Sequence, residues 1–147
     1  MYKNKAFTLV ELMITVAIIG ILTGMASLAY SVINQRGRDA QRMNDLNQIK
    51  VALTTYYNAQ LPLQYVTETT AGVINGTSDT LSAALIPNYI RVVPVDPINS
   101  GTFVYKYSSQ NSAKDFTLTA SLENVNNQKG WAGGSQWVAD GYQIVDN

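Results

Sequence analysis

Residues 12–35 contain no charged side chain, and the stretch 12–30, LMITVAIIGILTGMASLAY, is long enough as a helix to cross a hydrocarbon core of roughly 30 Å. Whatever else the chain folds into must accommodate an apolar rod near its N-terminus. Ahead of the rod stand Lys3, Lys5 and Ala6, then Phe7-Thr8-Leu9-Val10 and the carboxylate of Glu11. An ionised acid costs about 2.5–3.5 kcal/mol at the centre of a bilayer helix and less at the interface, so Glu11 needs a partner and is a functional candidate. Two plainer readings stay open. Ser27-Leu28-Ala29 has the small-x-small pattern of a secretory cleavage site, although the apolar stretch exceeds an h-region of about 7–15 residues and Glu11 interrupts it. Otherwise the segment is a simple anchor, with Glu11 reaching for the head groups. Lys3 and Lys5 flank one end and Arg36, Arg38 and Arg42 the other, so charge asymmetry does not set the orientation.

A chain of 147 residues has room for one compact domain beside such a rod. Ten basic residues balance ten acidic ones, which gives no electrostatic footprint for nucleic acid. With neither cysteine nor histidine, thiol nucleophiles, disulfides, imidazole bases and the commonest zinc ligands are all absent. No nucleophile elbow or phosphate loop occurs, and the acids beyond the rod share no spacing typical of a catalytic pair, so the chain does not read as an enzyme.

The run Ala6-Phe7-Thr8-Leu9-Val10-Glu11-Leu12, after a short basic leader and before an uncharged helix, resembles the class III signal of type IV prepilins and type II secretion pseudopilins. The resemblance implies that a membrane prepilin peptidase cuts between Ala6 and Phe7 and that the new amine of Phe7 is methylated. It implies that Glu11 pairs with that amine on a neighbouring subunit. It also implies that the chain polymerises with its own copies on an inner-membrane assembly platform, with its globular part outside the cytoplasm. Alanine stands at residue 6, where the family more often has glycine, and the membrane half lacks the proline of many pilus-forming members. The expected product is a filament: a surface pilus for adhesion, motility or DNA uptake, or the pseudopilus of a type II secretion system. A monomeric membrane-anchored binding module is the alternative of a different class. Gly20 and Gly24 are spaced as a small-xxx-small pair that permits close helix approach, or are simply membrane-helix glycines.

The same resemblance implies a pilin fold of the α+β class, with a leader at 1–6, a transmembrane or filament-core helix at 7–35 and a head at 36–147. The pattern of the residues is compatible with this. No proline precedes Pro62, so one helix is expected from residue 7 to about 60, roughly 80 Å at 1.5 Å per residue, with Gly37 as a site of bending. Ala40, Met43, Leu46, Ile49, Leu53, Tyr56 and Tyr57 recur as its buried face, leaving Arg42, Asp45, Asn47 and Lys50 elsewhere on the surface. Residues 61–80, rich in Thr, Gly, Asn and Ser, read as a surface loop that buries little; Asn75-Gly76-Thr77 within it fits the short, common glycosylation acceptor pattern. Ser78 or Asp79 caps a short helix over 80–86 that stops at Pro87.

Alternation predicts one strand through Phe103, Tyr105 and Tyr107 and a second through Phe116, Leu118, Ala120 and Leu122, joined by a loop at 109–114. After a stretch containing Gly130, Gly133 and Gly134, a third strand and part of a fourth are expected over Trp137, Val138, Tyr142, Ile144 and Val145. Trp131 and Trp137 read as core rather than as an adhesive surface. Major pseudopilins hold calcium near the C-terminus, and Asp96, Asp140 and Asp146, with Asn147 nearby, are the oxygen donors available here. These aspartates equally suit turns and solvent, so no cofactor and little or no calcium dependence is expected.

Overall fold

The computed structural model describes residues 7–123, of which 26–29 for the backbone alone, and, likewise for the backbone, 135–138 and 141–146. The chain divides into two compact units, Met1–Gln35 and Arg36–Asn147. Helix α1 (Leu9–Ala59) begins in the first and ends in the second, passing through Gly37 as one helix. In the first unit its large apolar side chains, among them Leu9, Ile14, Ile18, Ile21 and Leu22, are exposed. Water does not tolerate such a surface, whereas lipid or other apolar helices do. Among the described residues α1 is the one helix long and apolar enough to cross a membrane.

In the second unit one stripe of α1 enters a hydrophobic core. Leu46, Ile49, Ala52 and Leu53 are buried, with Met43, Tyr56 and Tyr57 half-buried against them, as the periodicity predicts; Ala40 instead stays exposed. Two polar assignments are overturned. Arg42 and Asp45, expected on the surface, are 0% and 6% exposed. Periodicity sorts side chains by polarity, and a polar side chain paired inside the protein looks the same in sequence as a solvated one.

The core is covered by a five-stranded antiparallel sheet of order β1-β2-β3-β5-β4: β1 (Gly72–Val73), β2 (Lys106–Gln110), β3 (Asp115–Ser121), β4 (Ser135–Val138) and β5 (Gly141–Asp146). Phe116, Leu118 and Ala120 of β3 point inward while Thr117 and Thr119 are half-exposed, a clean period of two. Helix α2 (Thr80–Leu85) starts at Asp79, whose carboxylate accepts the Ser82 amide at 2.9 Å, and buries Leu81 and Leu85.

Two expectations about the sheet need correction. The strand expected from Phe103 begins at Lys106, because Asn99 and Gly101 adopt positive φ and turn the chain into a bridge between Ser100 and Phe103. The hairpin turn is tighter than expected: β2 runs to Gln110, and Asn111, Ser112 and Ala113 carry the positive φ values. The C-terminal apolar set forms a third and a fourth strand of this region, β4 and β5, as the alternation predicts. The loop at 61–80 also buries more than its composition promised. Tyr65, Val66 and Ile74 lie in the core, the Tyr65 amide donates to the Ala113 carbonyl at 2.7 Å, and β1 closes the edge of β2. A few apolar residues suffice when each is placed on a core already built by others. The glycine-rich stretch and Trp131 lie outside the described residues.

Candidate assembly site

The N-terminal site is built by the backbone ends of α1. The first turn of any helix leaves amide donors without intrahelical acceptors. Here Thr8 and Glu11 satisfy two of them reciprocally: the Thr8 amide and hydroxyl both donate to Glu11 Oε2 at 2.8 Å, and the Glu11 amide donates to Thr8 Oγ1 at 3.3 Å. This is a capping box. The acid taken as solitary in the sequence therefore has a local partner, and the Thr-x-x-Glu spacing that signals it was present in the motif. Oε1 of Glu11 accepts no hydrogen bond among the described residues. Phe7, immediately before the cap, is 84% exposed. Further along, the Thr15 and Thr23 hydroxyls donate to the Leu12 and Ile19 carbonyls at 2.8 Å, so neither needs water. A Cβ added at Gly20 or Gly24 would meet nothing within 4 Å, so both glycines present open backbone rather than serving contacts inside the chain.

Replacing Thr8 with valine keeps the shape and removes the cap. The expected loss is about 0.5–2 kcal/mol in the first turn. Amide exchange at residues 9–12 of the full chain in micelles measures it, and unchanged protection would show that the cap does not hold the turn.

Sequence reasoning missed a second polar cluster, inside Arg36–Asn147. The Arg42 guanidinium is fully buried and donates through Nε and Nη2 to the two oxygens of Asp96 at 2.7 and 3.1 Å. Its Nη1 donates to Asp39 Oδ1 at 2.7 Å and to Glu123 Oε1 at 2.9 Å. Arg38 donates to Glu123 from the rim through Nε at 2.7 Å and through Nη2, and the Arg42 guanidinium carbon lies 5.0 Å from the centre of the Phe103 ring. Beside it the Tyr105 hydroxyl donates to buried Asp45 at 2.9 Å. The cluster ties α1 to the turn at Asp96 and to Glu123, two residues beyond β3. Its only sequence signal is the i, i+3 spacing of Asp39 and Arg42.

The cluster sets an acid response. Arg38, and then Arg42, hold the Glu123 carboxyl down at about 2. Burial pushes the Asp96 carboxyl up, but the Arg42 hydrogen bonds and charge together with the Ile98 and Asn99 amides outweigh it and leave it below the usual range. Burial raises Asp45, against the Tyr105 hydrogen bond. A carboxyl depressed by folding stabilises fully above its unfolded value, about 4 for these groups, and that stability is lost as pH falls through the folded value. Asp45 acts in the opposite sense and offsets part of the loss. Urea midpoints are therefore expected to fall between about pH 4.5 and pH 2. A midpoint that holds steady across that window would show that the cluster does not set the acid limit.

Of the calcium candidates, Asp96 is committed to Arg42 and to the Ile98 and Asn99 amides. Asp146 lies in β5 with its side chain outside the described residues, as are Asp140 and Asn147 entirely. Among the described residues no three acids are grouped to hold a metal. Asn75 is exposed, and its side-chain oxygen accepts the Thr77 and Ser78 amides at 3.0 and 2.9 Å.

Residues 1–27, which span the capping box and the start of the apolar rod, match the family described as a prokaryotic N-terminal methylation motif. The chain carries a prepilin-type signal. This signal is that of type IV pilins and pseudopilins, which are structural subunits rather than enzymes. It implies processing by prepilin peptidase and assembly into pilus-type polymers. With the apolar helix behind it, the prepilin-type signal fits a membrane-anchored precursor. The long helix and antiparallel sheet are consistent with a pilin fold. No solved structure matches the chain.

Proposed function

We propose that the chain is the structural subunit of a type IV pilus-type filament. Residues 1–6 are a leader removed at the Ala6–Phe7 bond, and the new Phe7 amine is methylated. Residues 7–35 hold the precursor in the inner membrane and then form the filament core, and residues 36–147 form a head outside the cytoplasm. The observation that carries this reading is the methylation-motif match over residues 1–27.

The local geometry supports a mechanism. Thr8 occupies one oxygen of Glu11 and orients the carboxylate, while the other oxygen is free to receive the Phe7 amine of an adjacent copy. That pair offsets the desolvation of both charges and fixes the axial register of identical helices. Gly20 and Gly24 let those helices approach.

N-terminal sequencing and intact mass of the mature chain test the processing step: the expected start is Phe7 carrying one methyl group, and a start at Tyr30 would support a secretory signal instead. Electron microscopy of sheared surface material tests the product, since a major pilin yields abundant long filaments of this chain. A secretion pseudopilin is the second reading: the lack of the C-terminal cysteine pair common in proteobacterial surface pilins weakens the first slightly, and the lack of a clear Trp-Gly calcium-loop motif weakens the second. Filaments confined to the periplasm would support that second reading.

A further inference from the structure

We infer that the second unit carries both halves of a head-to-tail contact, in which Leu61-Pro62-Leu63 of one copy seats in a groove on α1 of the next. The inference rests on the filament reading and adds a specific contact to it. The segment leaves the end of α1 as an apolar prong: Leu61 is 95% exposed and Leu63 48%. Pro62 restricts the backbone between them, so little conformational freedom is lost on docking. The groove has a volume of about 390 Å³ and is lined by Asn44, Asn47, Gln48 and Val51 of α1 with Tyr89 and Ile90. No charged side chain lines it, and Val51 is 67% exposed. An apolar anchor entering an uncharged, partly apolar pocket is the arrangement that concentrates binding energy in an interface.

Charge complementarity selects the occupant. Helix α1 ends at Ala59 with no basic residue in its last turn, so the negative end of its dipole, two residues before Leu61, has no counter-charge. Arg91, next in sequence to the Ile90 that lines the groove, is exposed and makes no hydrogen bond or ion pair among the described residues. Docking brings this cation toward a helix end that lacks one. Prong and groove are different surfaces of the same chain, so each copy added leaves a fresh groove or prong exposed. Such heterologous contacts propagate into open helical filaments.

The absence of cysteine makes the contact directly testable. Full chains carrying Leu61→Cys and Gln48→Cys are co-expressed and oxidised in sheared filaments. The expected product is a disulfide-linked dimer of the two variants, at least tenfold more abundant than with the control pair Leu61→Cys and Gln110→Cys. Leu61→Asp is expected to lower filament yield about tenfold or more, the scale set by one leucine leaving an apolar site. Since Leu61 contributes almost nothing to the core, this variant folds as wild type does. Wild-type filament yield from Leu61→Asp, or a Leu61 disulfide formed only with another protein, would overturn the contact and leave the filament reading standing. A wild-type chain that makes no filaments at all would overturn that reading and the contact with it.

Discussion

Arg42→Met is expected to unfold the second unit under conditions where the wild-type chain is intact. The substitution removes a cation that is 0% exposed and leaves Asp96, Asp39 and Glu123 without the guanidinium that holds them. Breaking a buried ion pair by deleting one partner costs about 3–5 kcal/mol, because an uncompensated charge stays inside. Domain stabilities are only about 5–15 kcal/mol, so the loss is a large fraction of the total. Arg42→Lys separates charge from geometry: it retains the cation but cannot span both oxygens of Asp96 as the planar fork does. An intermediate loss is expected from it. Urea unfolding of the full chain in detergent measures both. If Arg42→Met lowers stability by less than about 1 kcal/mol, the cluster is a crossing of charges that contributes little.

Glu11→Ala is expected to insert and fold but not to assemble. Removing the acid makes the helix more apolar, which favours the membrane, and costs only the reciprocal cap with Thr8 at the first turn. In the filament the incoming Phe7 amine would meet no counter-charge, a penalty of roughly 3–5 kcal/mol per subunit added. Glu11→Gln keeps an acceptor for Thr8 while discarding the charge. Partial assembly from that variant would assign part of the effect to hydrogen bonding, and complete failure would assign it to charge. The measurement is the yield of sheared filaments against the membrane pool, with leader cleavage checked separately. Wild-type yield from Glu11→Ala would return Glu11 to the status of a helix cap.

The limits of the sequence reading follow from the kind of signal each feature carries. The long helix, the short helix behind Asp79 and the alternation of Phe116, Leu118 and Ala120 were legible because each is a local pattern with a period or a cap. Arg42 was not, because its three carboxylate partners come from residues 39, 96 and 123, and only the fold brings the last two to it. The start of β2 was misplaced for a related reason: Phe103 alternates correctly with Tyr105, but the positive φ of Gly101 turns the chain before the ladder forms. At Glu11 the signal was present in the motif. There the Thr8-x-x-Glu11 spacing marks a capping box on the same residue that the resemblance makes an assembly acid.

The strand order has a bearing on how such a chain is made. β5 lies between β3 and β4, so among the described residues β4 pairs with nothing else in the sheet. A chain emerging from the ribosome or across a membrane can pair β2 with β3 early, yet the far side of its sheet stays open until β5 arrives. Such non-local pairing is slow. Loss of β5 would thus take out an interior slat and strand β4 alone. For this sheet, closure waits on β5.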